Sequence, residues 1–336
     1  MAGELTNDKI GLSIPKSEDV SGPSTSVNCV KSVQSIAQTG ALSPAVTSYL
    51  GAAIADNSRR AYQADLRDFL RWGGAIPCSP ETLAAYVADR AATLSPHTIS
   101  RRVVGISRAH TSQGLPDPAK NDLVRTVLRG IRRSHGTAQR QAAPLVKNDL
   151  ISLLPHMHGT KGLRDRALLL LGFSAALRRS ELVALDVRDL EFVREGLIVW
   201  LRRSKTDQES AGRRIAVPRG RSEVCAVMAV QQWLKHAQIV GGPVFRGVSK
   251  GGQVADQRLT AQSVSLVIKA LTEAAGLPSD KYSGHSLRAG LVTSAAQVGV
   301  ATHLIMAQSG HRSMEMLNRY IREANLFVGN AAGALL

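Results

Sequence analysis

Apolar residues recur at helical spacing from Ser43 to about Ser134. Tyr62, Leu66, Phe69 and Leu70 share one face, with Ser58 as the candidate cap of their helix. Ser79-Pro80-Glu81 predicts a second start, running through Leu83, Tyr86 and Val87. Proline suits the first helical position because its missing N–H has no partner there anyway. Ser95-Pro96 repeats that start, and Gly114 followed by Pro116 ends the third helix. A fourth helix carries Leu123, Val124, Val127, Leu128 and Ile131 on one face. This half of the chain reads as a small all-helical domain.

The pattern changes after Gly136. The segment 136–144 is polar and basic without apolar periodicity, and is expected to be a linker. Helical patterns return at Lys147–Leu154 and Arg164–Leu177. Leu197–Leu201, the turn-like KTDQESAG and Arg214–Val217 then read as a β-hairpin or small antiparallel sheet. Further helices are predicted at Ser222–Gln238, Ala261–Ala275, His285–Val298 and Ser313–Asn325. Residues 1–42 are rich in Ser, Thr, Gly and Asn with no sustained period, and are expected to be a disordered tail. The fold class is therefore mainly α with a small antiparallel β-sheet, divided as 1–42, 43–135, 136–144 and 145–336.

Charge sharpens this picture. The chain has 42 Lys and Arg against 26 Asp and Glu, a net charge of +16 over 336 residues. That excess favours a polyanion, nucleic acid first. On the fourth helix Arg125, Arg129, Arg132 and Arg133 form a second stripe, and the third helix offers Arg101, Arg102 and Arg108. Few acidic residues interleave with them, so phosphate contacts are favoured over a merely solvated face. The three cysteines form no CxxC pair and fit a reducing compartment. The longest apolar run, Ala167–Leu177, is too short to span a bilayer, which needs about 20 residues. A cytoplasmic protein, without a membrane partner, is expected.

Four segments in the second half carry reactive side chains. LRRSEL holds Arg178 and Glu181, read as sharing a helix face; Lys205 stands at the rim of the hairpin; SGHSLRAG holds His285 and Arg288; SGHRSMEMLNRYI holds His311 and Tyr320. Each alone means little. An Arg-x-x-Glu pair is usually a surface ion pair, and Tyr320 by itself reads as a core residue. Their conjunction, in this order and behind a basic helical domain, is specific.

That order resembles the tyrosine recombinase family, to which the phage integrases belong. The resemblance runs from about residue 43 to the end, and NRYIREAN reads closest to Cre-like members. It implies a helical core-binding domain followed by an α+β catalytic domain. It also implies site-specific recombination of double-stranded DNA through a 3′-phosphotyrosine on Tyr320, for integration, excision or resolution of a mobile element, plasmid or phage. Arg178 and Arg288 are then the phosphate clamp, because a planar guanidinium stays charged and holds two oxygens at once. His311 is expected to donate a further hydrogen bond. Lys205 is the family's usual proton donor to the leaving 5′-oxygen, His285 a base or second proton carrier, and Glu181 a residue that orients Arg178 or His285. The choice of Arg178 over Arg179 rests on the LR-x-x-E register. The family implies a homotetramer on two DNA sites, linked by C-terminal tails such as Phe327, Val328, Leu335 and Leu336. No cofactor and no metal ligand set is expected; His156-x-His158 has no acidic or cysteine partners nearby. The alternatives are a type IB topoisomerase, a catalytically silent DNA-binding regulator and a metal-dependent nuclease.

Overall fold

The structure, a computed structural model, describes residues 53–137, 141–202 and 212–324, with Ser43, Ala45, Val46 and Tyr49 as isolated residues before them. The expected tail over 1–42, the turn 203–211 with Lys205 and the C-terminal residues 325–336 lie outside the described residues. The chain separates into two compact units, Met1–Gln139 and Arg140–Leu336.

The first unit is built from α1 (Asp56–Arg71), α2 (Pro80–Arg90), α3 (Pro96–Thr111) and α4 (Asp122–His135). Ser79 and Ser95 cap α2 and α3 by accepting from the N–H groups of Thr82 and Thr98. Ser58 is no cap. α1 begins three residues earlier than a Ser58 cap would give, after Ala55, with Asp56 supplying a negative charge to its first turn. Phe69, Leu83, Tyr86, Val87, Ile99, Val103, Ile106, Val124 and Ile131 form the core. Leu123, expected on the apolar face of α4, is exposed. Phe69, Trp72 and Tyr86 pack ring against ring, at centroid separations of 5.0 to 6.3 Å.

The second unit gathers around α6 (Gly159–Ser174), whose Ala167–Leu171 run is buried throughout. A helix apolar on every side belongs in a core, and neighbours do cover it: α5 (Lys147–Leu153), α7 (Arg179–Ala184), α8 (Ala226–His236), α9 (Ala261–Ala274) and α10 (Ser286–Gln297). A three-stranded antiparallel sheet, in the order β1 (Leu190–Phe192), β2 (Gly196–Leu201), β3 (Arg213–Pro218), turns Leu197, Val199, Leu201, Ile215 and Val217 into the same core. β4 (Arg246–Val248) and β5 (Val254–Arg258) form a separate hairpin. α11 (Thr302–Ser309) and α12 (Met314–Ala324) close the described chain, held to α10 by Val292, Ala296, Ile305 and Leu317. β1, the second hairpin, α7 and α11 were not legible as separate elements. Each has eight residues or fewer, too few for a period to emerge.

Glycines decide two close approaches. A Cβ on Gly172 would stand 2.8 Å from a methyl of Leu287 and 3.0 Å from one of Leu182, so its absence brings α7 and α10 onto α6. A Cβ on Gly290 would stand 1.9 Å from the carbonyl oxygen of Leu145. There the chain lies along α10: Ala143 donates to Lys281 O at 2.8 Å and Leu145 to Ser286 O at 2.9 Å. Helix propensity alone makes Gly→Ala stabilising by up to about 1 kcal/mol. Gly130, with nothing within 4 Å of an added Cβ, should show that gain as Gly130→Ala. Gly290→Ala should show the opposite sign, a loss of about 3 kcal/mol in urea unfolding, because a backbone must move to admit one methyl.

Candidate active site

Arg178 and Glu181 do not sit side by side along a helix face. Arg178 is the N-cap of α7, in extended conformation, and Glu181 is its third helical residue. One Glu181 oxygen accepts from the Arg178 backbone N–H at 2.9 Å, and the other from Arg178 Nη1 at 2.6 Å. One buried carboxylate therefore starts the helix and aims the guanidinium. Arg179 turns away, to Ser265 Oγ at 3.1 Å, which agrees with the register that selects Arg178.

Arg288 stands in the first turn of α10, after His285, the exposed N-cap. Its side chain is only 6% exposed. Nη1 donates to the carbonyls of Ala176, at 3.0 Å, and Ser309. Nη2 is buried without a hydrogen-bond partner among the described residues. Burial, and then Arg178 beside it, bring this guanidinium down to about 10, so it remains charged at neutral pH. Ala176, which supplies one acceptor, has φ +51. A non-glycine residue in the left-handed region costs about 1–3 kcal/mol and is characteristic of functional sites.

Gly310 ends α11 in the left-handed conformation and turns the chain to present His311. Ser309 Oγ lies 2.6 Å from Ile305 O and 2.7 Å from His311 Nδ1. A carbonyl only accepts, so the serine proton goes to Ile305 and Nδ1–H donates to Ser309. Nε2 is then the nitrogen left for the site. Burial, followed by Arg288, Arg178 and Arg213, lowers the His311 pKa to about 4. At neutral pH Nε2 therefore carries a lone pair, whereas the sequence suggested a donor. Tyr320, on α12, packs beside it with ring centroids 6.1 Å apart, in the small cluster that holds α12 to α10 and α11.

Arg178, Glu181, Arg288, His311 and Tyr320 are thus brought to one place. His285 stands at the head of the helix that bears Arg288, and Lys205 lies outside the described residues. Sequence reasoning missed Arg213 and Ser309. Arg213 opens β3, and its charge acts on Arg178, Arg288 and His311 together. The signal was available: Ile215 and Val217 are the buried positions of β3, and alternation places residue 213 on their side.

The first unit sorts its arginines. Arg125, Arg129, Arg132 and Arg133 are exposed along α4 and form no ion pair among the described residues. Arg108 is exposed, over the Tyr62 ring at 5.3 Å. Arg101 Nη1 is 2.8 Å from buried Asp65. Arg102 faces inward, donating to Asp68 and, at 2.9 Å, to Tyr86 Oη. Its guanidinium is committed within the unit.

Buried Arg288 and half-buried Arg178, with a histidine and a tyrosine at their edge, form a cationic site of the kind that holds a phosphate. The family profile described as the Phage integrase family matches residues 144–326. An integrase/recombinase xerD homolog of Selenomonas ruminantium is 41% identical over 288 residues, covering 82% of this chain and 84% of that protein. Recombinase cre of Escherichia phage P1 is 26% identical over 276 residues, covering 76% and 79%. Among solved structures, XerH site-specific recombinase bound to a palindromic difH substrate aligns with a TM-score of 0.60 at 17% identity, over 82% of this chain and 79% of that one. A lambda integrase dimer bound to a COC' core site aligns at 0.58 and 15%, over 80% and 72%. The chain belongs to the phage integrase family, the tyrosine recombinases, and is a DNA strand-transferase of site-specific recombination.

The His311 geometry predicts an acid sensitivity. The unfolded chain takes up the His311 proton near the ordinary 6.5, and the folded chain only near 4. Between those values the unfolded state binds more protons, so stability falls as pH is lowered from 6.5 towards 4. Urea midpoints measured across that window should fall less steeply for His311→Gln than for the wild type.

Proposed function

We propose that Tyr320 attacks the scissile phosphorus with its phenolic oxygen, forming a 3′-phosphotyrosine and releasing the 5′-oxygen as a hydroxyl. The observation that carries this reading is the buried, partly unpaired Arg288 guanidinium beside Arg178, with Tyr320 packed against His311. The negative charge that builds on the phosphate oxygens is held by Arg178 and Arg288, with Glu181 fixing Arg178. Preorganised donors of this kind are each worth about 10²–10³ in rate. Burial and the surrounding guanidinium charges keep His311 neutral, and a phosphate beside it opposes those charges. It thereby raises the His311 pKa, so that Nε2 gains a proton and donates. Lys205 protonates the leaving oxygen, and His285 serves the Tyr320 proton or acts as a second carrier. The phosphotyrosine is a phosphodiester like the bond it replaces, so rejoining needs neither ATP nor cofactor.

The first unit is proposed as the core DNA-binding domain, gripping duplex phosphates through the α4 arginines and Arg108. Arg102 holds the unit's interior together instead, with Arg101 between the two roles. Four protomers on two sites, joined by exchange of tail residues 326–336, form the recombining complex. It acts on a phage, plasmid or other mobile element in a bacterial cytoplasm. The relatives' names support recombination over relaxation by a topoisomerase-like enzyme.

Two experiments test this. On DNA carrying the recombination site, denaturing gels should show a covalent protein–DNA adduct for the wild type and none for Tyr320→Phe, with binding unchanged; an adduct from the Phe variant would remove Tyr320 from its role. Each phosphate contact contributes about 0.9 to the slope of log K against log salt. Arg125→Ala with Arg129→Ala should therefore lower that slope by about 2. Arg102→Ala should leave the slope unchanged and lower the melting temperature.

A further inference from the structure

Arg213 is a charge of the second unit that the reading above leaves without a role. It is half-buried, and burial lowers its pKa. Glu181 favours its charge from a distance, but no carboxylate pairs with it among the described residues, and Arg178 repels it. A half-buried guanidinium without an ion pair is poorly explained by stability alone. Its contacts are with backbone instead. Nη1 donates to Ala307 O and Gln308 O, both at 3.2 Å. These are last-turn carbonyls of α11, where a cation is also favoured by the helix dipole. A Cβ on Gly310 would stand 2.3 Å from the same nitrogen. The next carbonyl, Ser309 O, is taken by Arg288. Two guanidinium groups therefore hold three consecutive carbonyls, those of Ala307, Gln308 and Ser309, just before Gly310 and His311. Gln308 adds a third tie, its Nε2 donating to Ser174 O at 2.8 Å and Ala216 O at 3.2 Å.

We propose that Arg213 is a positioning residue for DNA cleavage, which fixes the Gln308–Gly310 turn so that His311 Nε2 meets the scissile phosphate. This rests on the reading of the site given above. The turn is the hinge on which His311 hangs, and Ser309 anchors only the far nitrogen of the ring. A displacement of about 1 Å at such a group is enough to slow a reaction about 10²-fold. Arg213 also lies eight residues after Lys205, on the return strand of the same hairpin, so one side chain links that hairpin to the histidine loop.

The test is a double-mutant cycle on the rate of covalent adduct formation under single turnover. Arg213→Ala should slow the adduct about 10²-fold, while DNA affinity stays within about threefold because the phosphate grip lies elsewhere. Arg213→Lys keeps the charge but not the fork, and should fall about tenfold. In a His311→Gln background, either Arg213 change should slow the reaction by no more than about threefold further, since its effect passes through His311. Should Arg213→Ala lose its melting transition, the Lys variant in both backgrounds decides. Rates that multiply across the two sites overturn the proposal, as do Arg213 variants that match the wild type. A wild-type adduct that Tyr320→Phe abolishes in the same assay leaves the reading of Tyr320 standing in either case.

Discussion

The second unit depends on keeping like charges together. Arg178, Arg213 and Arg288 act on one another and on His311, and Glu181 is the carboxylate that answers them. In water three guanidinium groups would drift apart, and burial disfavours their charged forms. The structure opposes both tendencies with backbone dipoles. Ala176, Ala307, Gln308 and Ser309 each turn a carbonyl towards a guanidinium. Carbonyls fix the direction of a cation without neutralising it. The positive charge of Arg178 and Arg288 is thereby preserved for a phosphate, which an equal number of carboxylates would have cancelled, while Arg213 is spent on the turn before His311.

Holding carbonyls in these directions makes demands on the chain far from any charge. Gly172 lets α7 and α10 meet on α6, which sets the separation of Arg178 and Arg288. Ala176 accepts a left-handed backbone, and its carbonyl is one of those that hold Arg288. Gly310 reverses the chain at the end of α11 while leaving room for Arg213. The buried leucines of α6 provide the rigid floor that makes such strain tolerable. The first unit solves the same problem differently. Asp68 gathers Tyr86, Arg90 and Arg102, so charge there is paired and serves the fold.

Local chemistry was legible in the sequence, and long-range pairing was not. Ser79-Pro80 and Ser95-Pro96 mark helix starts because the cap and the proline act within one turn. The Ala167–Leu171 run announces a buried helix by having no polar face. Arg178, Glu181, Arg288, His311 and Tyr320 stand out in the sequence through their order, and the fold brings them together. Their roles in space were less visible: Arg178 was read as lying on a helix that it in fact caps. Arg102 and Arg125 are the same residue type on neighbouring helices, yet one is paired inside and one is exposed. Only the positions of Asp68 and Tyr86, thirty-four and sixteen residues before Arg102, distinguish them. Arg213 is the first residue of β3, next to the polar turn sequence, so the alternation visible from Arg214 onwards reveals its inward phase only when carried back one residue.

The run from Ala143 to Leu145 bears on where the second unit can be cut. Composition places the change from connector to folded region at about residue 145, but hydrogen bonding begins earlier. Ala143 and Leu145 occupy the carbonyls of Lys281 and Ser286, and Gly290 has no side chain in order that Leu145 can lie there. A fragment started at residue 145 would free the Lys281 carbonyl and place a charged amino terminus against the helix of Arg288. Dissection of this chain into independently expressed halves should therefore respect the hydrogen-bond ledger, which puts the seam at or before Gln141–Ala143, inside sequence that looks like spacer.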